Sequence, residues 1–148
     1  MTAEHPAELA IEGLQRAYAD ISTREAWDEF AALVTPDCKF LFDTSSGGVF
    51  ELNGPEQFVE FAKKTAVQFD LWVYDPVNFV VTVDPAGTAT GRTYSFEIEQ
   101  DRESGEVISS YGRYEDEYVL LDGRWRWSSR RYRNVARRNG DEPWRRNH

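Results

Sequence analysis

The sequence has few of the residues that most often carry catalysis. It holds a single cysteine, Cys38, which excludes an internal disulfide. Its two histidines, His5 and His148, stand within five residues of the two ends of the chain. A Ser-His-Asp nucleophile, a histidine general base and a histidine-ligated zinc are therefore not expected in the folded body. We expect neither a metal nor a cofactor.

Long apolar runs are also lacking. No stretch of about 18 apolar residues occurs, and the apolar core of a signal peptide is missing as well. These absences predict a soluble, cytoplasmic protein that does not bind membranes. With 148 residues and 41% hydrophobic content, the chain is long enough to bury one core. We expect one domain over residues 1–148, with a core at about 8–135 and a basic C-terminal tail at 136–148.

Lysine is scarce, and the positive charge is unevenly placed. The formal net charge is −9, yet residues 124–148 hold nine arginines against Asp141 and Glu142. We expect this basic segment to lie on the acidic body of its own or a neighbouring subunit. Such complementarity favours a homodimer or homotrimer. Nucleic acid is disfavoured as a partner, because the acidic body would repel phosphate.

Residues 106–135 predict a long hairpin closed by Asp122-Gly123, a dipeptide typical of a type I′ turn. A two-residue loop pairs the strands from the turn outward, which places Asp116 opposite Ser129 and on the same face as Arg131. The aromatic residues on that face are Tyr114, Tyr118, Trp125 and Trp127. Because a carboxyl group on an apolar face is costly unless protonated or hydrogen-bonded, Asp116 is the most informative position of the chain.

Apolar residues at helical spacing predict three helices ahead of most of the sheet. The first covers residues 7–21. The second follows a capping box, Ser22-x-x-Glu25, and ends before Pro36. The third begins at Gly54-Pro55, where proline takes the first helical position.

Period-two alternation predicts strands at 37–43, 49–52, 71–83 and 88–100, followed by the hairpin. In the strand at 88–100 we expect Thr93, Ser95, Glu97 and Glu99 to face solvent, and we assign the two glutamates no role. The order α-α-β-β-α-β-β-β-β predicts an α+β fold. In this fold three N-terminal helices pack on a strongly curved antiparallel sheet, forming a cone-shaped α+β barrel.

Such a cone would enclose a mostly apolar cavity. The residues predicted to form its walls are Trp27, Phe40, Phe42, Phe61, Tyr114 and Trp127. These rings are most simply core residues, although in a hollow cone some of them become ligand walls. Arg131, on the face of Asp116, is the candidate clamp for an anion or enolate.

The order of elements, with the segments TPDCKFLFD (35–43), NGPEQFVEF (53–61) and GRYEDEYVLLDGRWRW (112–127), resembles the nuclear transport factor two-like superfamily. Within it, the resemblance is to the SnoaL-like polyketide cyclases and dehydratases, over roughly residues 8–135. It implies the cone-shaped fold and a small hydrophobic ligand. The activity stays open, because this superfamily contains cyclases, dehydratases, isomerases and non-catalytic binding modules.

Dehydratases of this branch resemble one another in an aspartate at the end of the first helix and a histidine on the strand after the third helix. Here the aspartate position falls at Thr23, or at Ser22, and the histidine position falls near Tyr74. The pair is absent, so its mechanism is not carried over.

The sequence is also similar in part to the ketosteroid isomerases, whose oxyanion hole combines a tyrosine with a protonated aspartic acid. Tyr18 and Asp116 occupy the similar positions. The isomerase's general base falls on Phe42, and Asp43 stands one residue further, on the opposite face of a strand. Asp43 would reach the cavity if a bulge or the turn at Gly47-Gly48 swung it inward.

Two functions follow as hypotheses. The first is a small-molecule lyase or isomerase, a cyclase, dehydratase or ketosteroid-isomerase-like enzyme, that acts on a hydrophobic carbonyl substrate. In it Asp116 and Tyr18 stabilise an oxyanion, Asp43 or Tyr74 moves the proton, and Arg131 tunes the charge. The alternative is a non-catalytic module that binds a hydrophobic ligand or a partner subunit, with Asp116 as a structural acid paired with Arg131 or Ser129.

Overall fold

The computed structural model describes residues 4–44 and 48–147. The elements are helix α1 (Glu4–Arg24), a 3₁₀ helix (Trp27–Leu33), strands β1 (Val34–Asp43) and β2 (Val49–Asn53), helix α2 (Gly54–Ala66), and strands β3 (Phe69–Asp84), β4 (Thr88–Asp101), β5 (Val107–Leu121), β6 (Arg124–Asn139) and β7 (Arg145–Arg146). The predicted order is confirmed, with the two-residue β7 added at the end. None of the helices in the described ranges is long and apolar enough to cross a membrane.

The seven strands form one curved sheet that does not close. Its order is β2-β1-β6-β5-β4-β3, and β7 pairs with β6. Neighbouring strands run antiparallel except β1 and β6, which are parallel. The α+β fold with a strongly curved sheet is confirmed, and the sheet is mixed rather than wholly antiparallel.

Helix α1 buries the predicted apolar stripe, which consists of Ile11, Leu14, Tyr18 and Ile21. It ends in a Schellman motif: Glu25 takes a positive φ of 55°, and the amide of Ala26 donates to the carbonyl of Ile21 at 3.0 Å. Ser22 therefore stays inside α1. The predicted capping box is wrong, and the 3₁₀ helix begins without a side-chain cap.

The β5–β6 hairpin is closed by a turn in which Asp122 and Gly123 both have positive φ, as a type I′ turn requires. The predicted register holds from the turn to the pair Tyr118–Trp127. Beyond that pair Ser128 is an extra residue in β6, so Asp116 pairs with Arg130 instead of Ser129. A bulge of one residue exchanges the faces of the strand that follows it.

Strand β4 presents the opposite face from the one predicted. Thr93 and Ser95 are fully buried, whereas Phe96 is 40% exposed. Residues directly opposite each other in a sheet share a face, and Glu97 pairs with the buried Tyr74 of β3. Glu97 and Glu99 therefore point into the cone, and the prediction that they face solvent is wrong.

The C-terminal segment is attached to the sheet. Strand β6 runs on to Asn139, and Arg145 and Arg146 of β7 pair with its residues Arg137 and Ala136. Trp144 packs against Phe96 on the outer face, with ring centroids 6.2 Å apart. Much of the stretch predicted as a basic tail is therefore held by strand pairing.

The inner face of the sheet packs against α1, the 3₁₀ helix and α2. Phe30 and Phe58 stack with centroids 4.3 Å apart, and Phe40 lies 4.8 Å from Phe58. These rings fill the space under the 3₁₀ helix. Between α2, β2 and the inner face of β3–β6 the packing leaves an open cavity.

Candidate functional site

The cavity has a volume of about 460 Å³ and draws its walls from both helices and from strands β1 to β6. Among the described residues, nine aromatic side chains line it. The charged residues among the described lining are Glu97, Glu99 and Arg137. A mostly apolar cavity of this size with a few polar groups is suited to a small organic molecule.

Glu97 is the acid of the cavity wall, set there by its pairing with Tyr74. The indole Nε1 of Trp72 donates a hydrogen bond to its Oε2 at 3.4 Å. Burial raises the pKa of Glu97 to about 7, and the negative charge of Glu99 adds to the rise, while the Trp72 hydrogen bond and the charge of Arg130 oppose it. Near neutral pH the side chain therefore exists in both protonation states, which suits a group that transfers protons.

Glu99 stands two residues further on the same face of β4 and also lines the cavity. Burial raises its pKa as well, but the neighbouring positive charge of Arg137 lowers it in part. Arg137 reaches the cavity from β6. The described lining of the cavity thus has two carboxyl groups and one guanidinium.

Three tyrosines, from α1, β5 and β6, supply hydroxyl groups to the lining. Burial raises the pKa of Tyr18 to about 12 and that of Tyr114 well above its ordinary value. The hydroxyl of Tyr132 accepts a hydrogen bond from Nδ2 of Asn134 at 3.3 Å. All three phenols are neutral at physiological pH, so each keeps a proton to donate to a ligand.

Asp116 lies outside the cavity lining and is 2% exposed. Its Oδ1 accepts from Nε of Arg130 at 2.8 Å, and its Oδ2 accepts from the hydroxyls of Tyr118 at 3.0 Å and Thr93 at 3.2 Å. Both oxygens are occupied as acceptors, which is the arrangement of a structural ion pair. The geometry matches the structural alternative for Asp116, with Arg130 in place of the predicted partners Arg131 and Ser129.

The guanidinium of Arg130 is enclosed by aromatic rings. Its central carbon lies 3.9 Å from the ring centroid of Tyr114, 4.2 Å from Trp127 and 5.2 Å from Tyr18. Tyr114 and Tyr18 line the cavity, whereas Arg130 does not. The buried ion pair therefore supports two cavity rings from the side away from the ligand space.

The other predicted site residues divide between wall, core and outer surface. Phe42 and Phe61 line the cavity. The residues that are buried in the core and do not line the cavity are Trp27, Phe40, Tyr74 and Trp127. The hydroxyl of Tyr74 has no hydrogen-bond partner among the described residues, and its ring lies 4.9 Å from that of Tyr18.

Asp43 and Arg131 lie together in a shallow groove on the outer face of the sheet. Strand β1 stays extended as far as Asp43 and points Phe42 inward, so Asp43 faces outward. The Gly47-Gly48 turn expected to swing Asp43 inward lies partly outside the described residues. The prediction that Arg131 shares the face of the Asp116 side chain is wrong, because the Ser128 bulge turns it outward.

The fold and the cavity together define a cone-shaped α+β protein with an open cavity beneath its helices. The chain belongs to the SnoaL-like domain family, whose family model matches residues 3–131. The predicted SnoaL-like family is therefore confirmed, and the fold is cystatin-like. No curated protein matches the sequence.

Solved structures share the fold at low sequence identity. A candidate scytalone dehydratase from Novosphingobium aromaticivorans is 22% identical, with a TM-score of 0.80 over 99% of this chain and 95% of the other. A hexachlorocyclohexane dehydrochlorinase from Novosphingobium barchaimii is 16% identical, with a TM-score of 0.80 over 93% and 92%. A protein with a cystatin-like fold from Caulobacter vibrioides is 18% identical, with a TM-score of 0.72 over 85% and 87%. At these identities the likeness establishes the fold alone.

Proposed function

We propose that this chain is a lyase or isomerase that moves a proton on a hydrophobic carbonyl substrate in the cavity, with Glu97 as the proton-transfer group. The observation that carries the proposal is the position of Glu97 in an aromatic cavity with its pKa raised to about 7. The family's fold, which small-molecule dehydratases share, supports it. Members of this family bind small hydrophobic ligands, which agrees with the lining of the cavity.

In this proposal ionised Glu97 removes a proton from the carbon next to the carbonyl group. The C–H electron pair forms an enolate, and the hydroxyls of Tyr18 and Tyr114 donate hydrogen bonds to its oxygen. In an isomerisation the proton returns from Glu97 to another carbon. In an elimination from a β-hydroxy ketone the electron pair instead forms a C=C bond and the C–O bond breaks, and the departing hydroxide takes the proton from Glu97 and leaves as water.

The assignment of roles differs from the hypothesis drawn from the sequence. Asp43 takes no part in the proposed reaction, because it lies on the outer face. Asp116 holds Arg130 beneath the rings of Tyr18 and Tyr114, and Tyr74 supports the ring of Tyr18. Among the described residues, Glu97 lies in the cavity wall and has its pKa raised to about 7.

The experiment compares Glu97→Gln with Glu117→Gln, a matched change at an exposed site of β5. Exchange of α-protons for deuterium is followed by NMR across a panel of hydrophobic cyclic ketones and β-hydroxy ketones. We expect Glu97→Gln to slow exchange and turnover by about 100-fold or more, because an amide cannot carry the proton. Glu117→Gln should keep the wild-type rate. An unchanged rate in Glu97→Gln would remove Glu97 from the mechanism.

A non-catalytic module that binds a hydrophobic ligand is the second candidate. It is supported by the residues that stand at the two positions where the family's dehydratases have their Asp–His pair. Thr23 there is exposed and its hydroxyl donates to the carbonyl of Ala19, while Tyr74 is buried in the core. This alternative predicts ligand binding without proton exchange in the wild-type protein.

A further inference from the structure

We propose that the molecule bound in the cavity carries a positively charged nitrogen, held beside Glu97 and Glu99 with its apolar part against the aromatic rings. The inference rests on the proposed function and narrows the substrate to a hydrophobic carbonyl compound that also bears a protonated or quaternary amine. Two features of the cavity support this inference independently. One is the charge of its wall, and the other is its aromatic lining.

The charge balance of the cavity wall favours a cation. The guanidinium of Arg137 acts on Glu99, and it is the one basic side chain among the described lining residues. The other positive charge near Glu97 is that of Arg130, which is held by Asp116 at 2.8 Å and lies outside the lining. The wall beside Glu97 therefore carries negative charge that a cationic ligand would balance and an anionic ligand would meet unfavourably.

Two aromatic rings of β3, those of Trp72 and Phe69, line the same cavity as Glu97. Trp72 directs its indole N–H at the Glu97 carboxyl, and Phe69 packs 6.3 Å from the Trp72 ring. Both line the cavity. The rings of Tyr18 and Tyr114 already have Arg130 nearby, whereas no such contact occurs at Trp72 or Phe69 among the described residues. Aromatic faces next to carboxylates are the usual surroundings of a bound organic ammonium group.

The proposal makes binding depend on pH with a definite sign. A cation pairs with ionised Glu97, so binding lowers the pKa of this carboxyl from about 7 and releases a proton. Affinity for a permanent cation should therefore rise as the pH increases from 6 to 8. A neutral ligand should show no such rise.

The test uses three probes that share the phenethyl group and differ in charge. They are phenethyltrimethylammonium, its neutral carbon isostere and phenylpropanoate. Their affinities are measured by titration calorimetry and by quenching of tryptophan fluorescence at pH 8. We expect the cation to bind at least about tenfold more tightly than the neutral isostere, and the anion to bind most weakly. Glu97→Gln should reduce the preference for the cation to about threefold or less, and Glu117→Gln should keep it.

Proton release is a second measurement, and it distinguishes a specific effect of Glu97→Gln from unfolding of the variant. Glu97 is about half protonated at pH 7, so calorimetry at this pH in two buffers of different ionisation enthalpy should detect the release of up to about half a proton per site when the wild-type protein binds the cation. Glu97→Gln should release none. Equal affinity for the cation and its isostere, or an unchanged preference in Glu97→Gln, would overturn the inference. If the cation preference is present but wild-type protein catalyses no proton exchange, the proposed catalysis fails and the ligand class stands.

Discussion

Arg130 and Asp116 face each other across β5 and β6, with Nε of the arginine 2.8 Å from Oδ1 of the aspartate and at most 2% of either side chain exposed. The pair extends to α1, because Nη2 of Arg130 donates to Gln15 Oε1 at 3.4 Å and Nε2 of Gln15 donates to Tyr118 at 2.7 Å. The network joins the first helix to the final hairpin beneath the cavity rings.

Asp116→Asn should destabilise the fold by about 3 to 5 kcal/mol, because it leaves the Arg130 guanidinium buried without a counter-charge. Urea unfolding followed by circular dichroism measures the loss. Glu117→Gln, at an exposed site of β5, is the control and should change stability by less than about 0.5 kcal/mol. The double change Asp116→Leu with Arg130→Met should recover much of the stability. A stable Asp116→Asn protein with impaired turnover would instead support a catalytic part for Asp116.

Because of Glu97, the free energy of unfolding should decrease as the pH rises. Its pKa is about 7 in the folded chain and 4.5 ordinarily, so between these values the folded chain binds more protons than the unfolded chain. Stability must then fall as the pH increases through this window, by an amount on the order of 2 kcal/mol for a half-buried group. We expect the difference in unfolding free energy between wild type and Glu97→Gln to change by this amount from pH 4 to pH 8. A constant difference would contradict the raised pKa.

Gly112→Ala should disturb the cavity wall. An added Cβ at Gly112 would overlap the ring of Tyr132, which must then shift away from its place in the lining. We expect a loss of about 1 to 3 kcal/mol in urea unfolding and weaker binding of cavity ligands. Gly13→Ala in α1 is the matched control, since nothing lies within 4 Å of the added carbon. That change should stabilise the helix by up to about 1 kcal/mol; a similar gain at Gly112 would mean that the Tyr132 ring is not held there.

We also propose that copies of the chain associate through the outer face of the sheet. Phe96, Ile98 and Trp144 are each about two-fifths exposed there. Phe96→Glu should therefore lower the sedimentation coefficient to that of a monomer. Leu9→Glu, at an exposed apolar residue of α1, should leave it unchanged. A monomeric wild-type protein at tens of micromolar would refute this proposal.

The elements were predictable from the sequence because their signals are local. The apolar stripe of α1, the proline at the start of α2 and the Asp122-Gly123 turn each act within a few residues. The Ser128 bulge was not predictable from alternation, since an extra residue leaves no mark in a period of two. Arg130 and Arg131 stand side by side, so the pattern gave no reason to choose the buried one.

The prediction of which β4 residues point inward was wrong for another reason. Tyr94, Phe96 and Ile98 resemble an inward-facing set, but on the outer face Phe96 packs with Tyr111 and Trp144. A usable signal was present in the Asp84–Gly87 turn. This turn pairs Val83 with Ala89. Because paired residues point to the same face of a sheet, the odd-numbered residues of β4 lie on the inner face together with Val83. Following that register would have placed Glu97 in the cavity.

The extra residue at Ser128 also governs how positions in related chains should be matched to this one. Counting from the Asp122-Gly123 turn gives the correct equivalences only as far as Trp127. From Ser129 to Asn134 the count must be advanced by one, and from Ala136 onward by two, because a second register shift follows Asn134. An alignment without a gap at this point would equate Arg130 with an outward-facing neighbour in any chain that lacks the bulge. Roles for the last strand are therefore safer to transfer from its pairing with Gly112 and Tyr114 than from its distance to the turn.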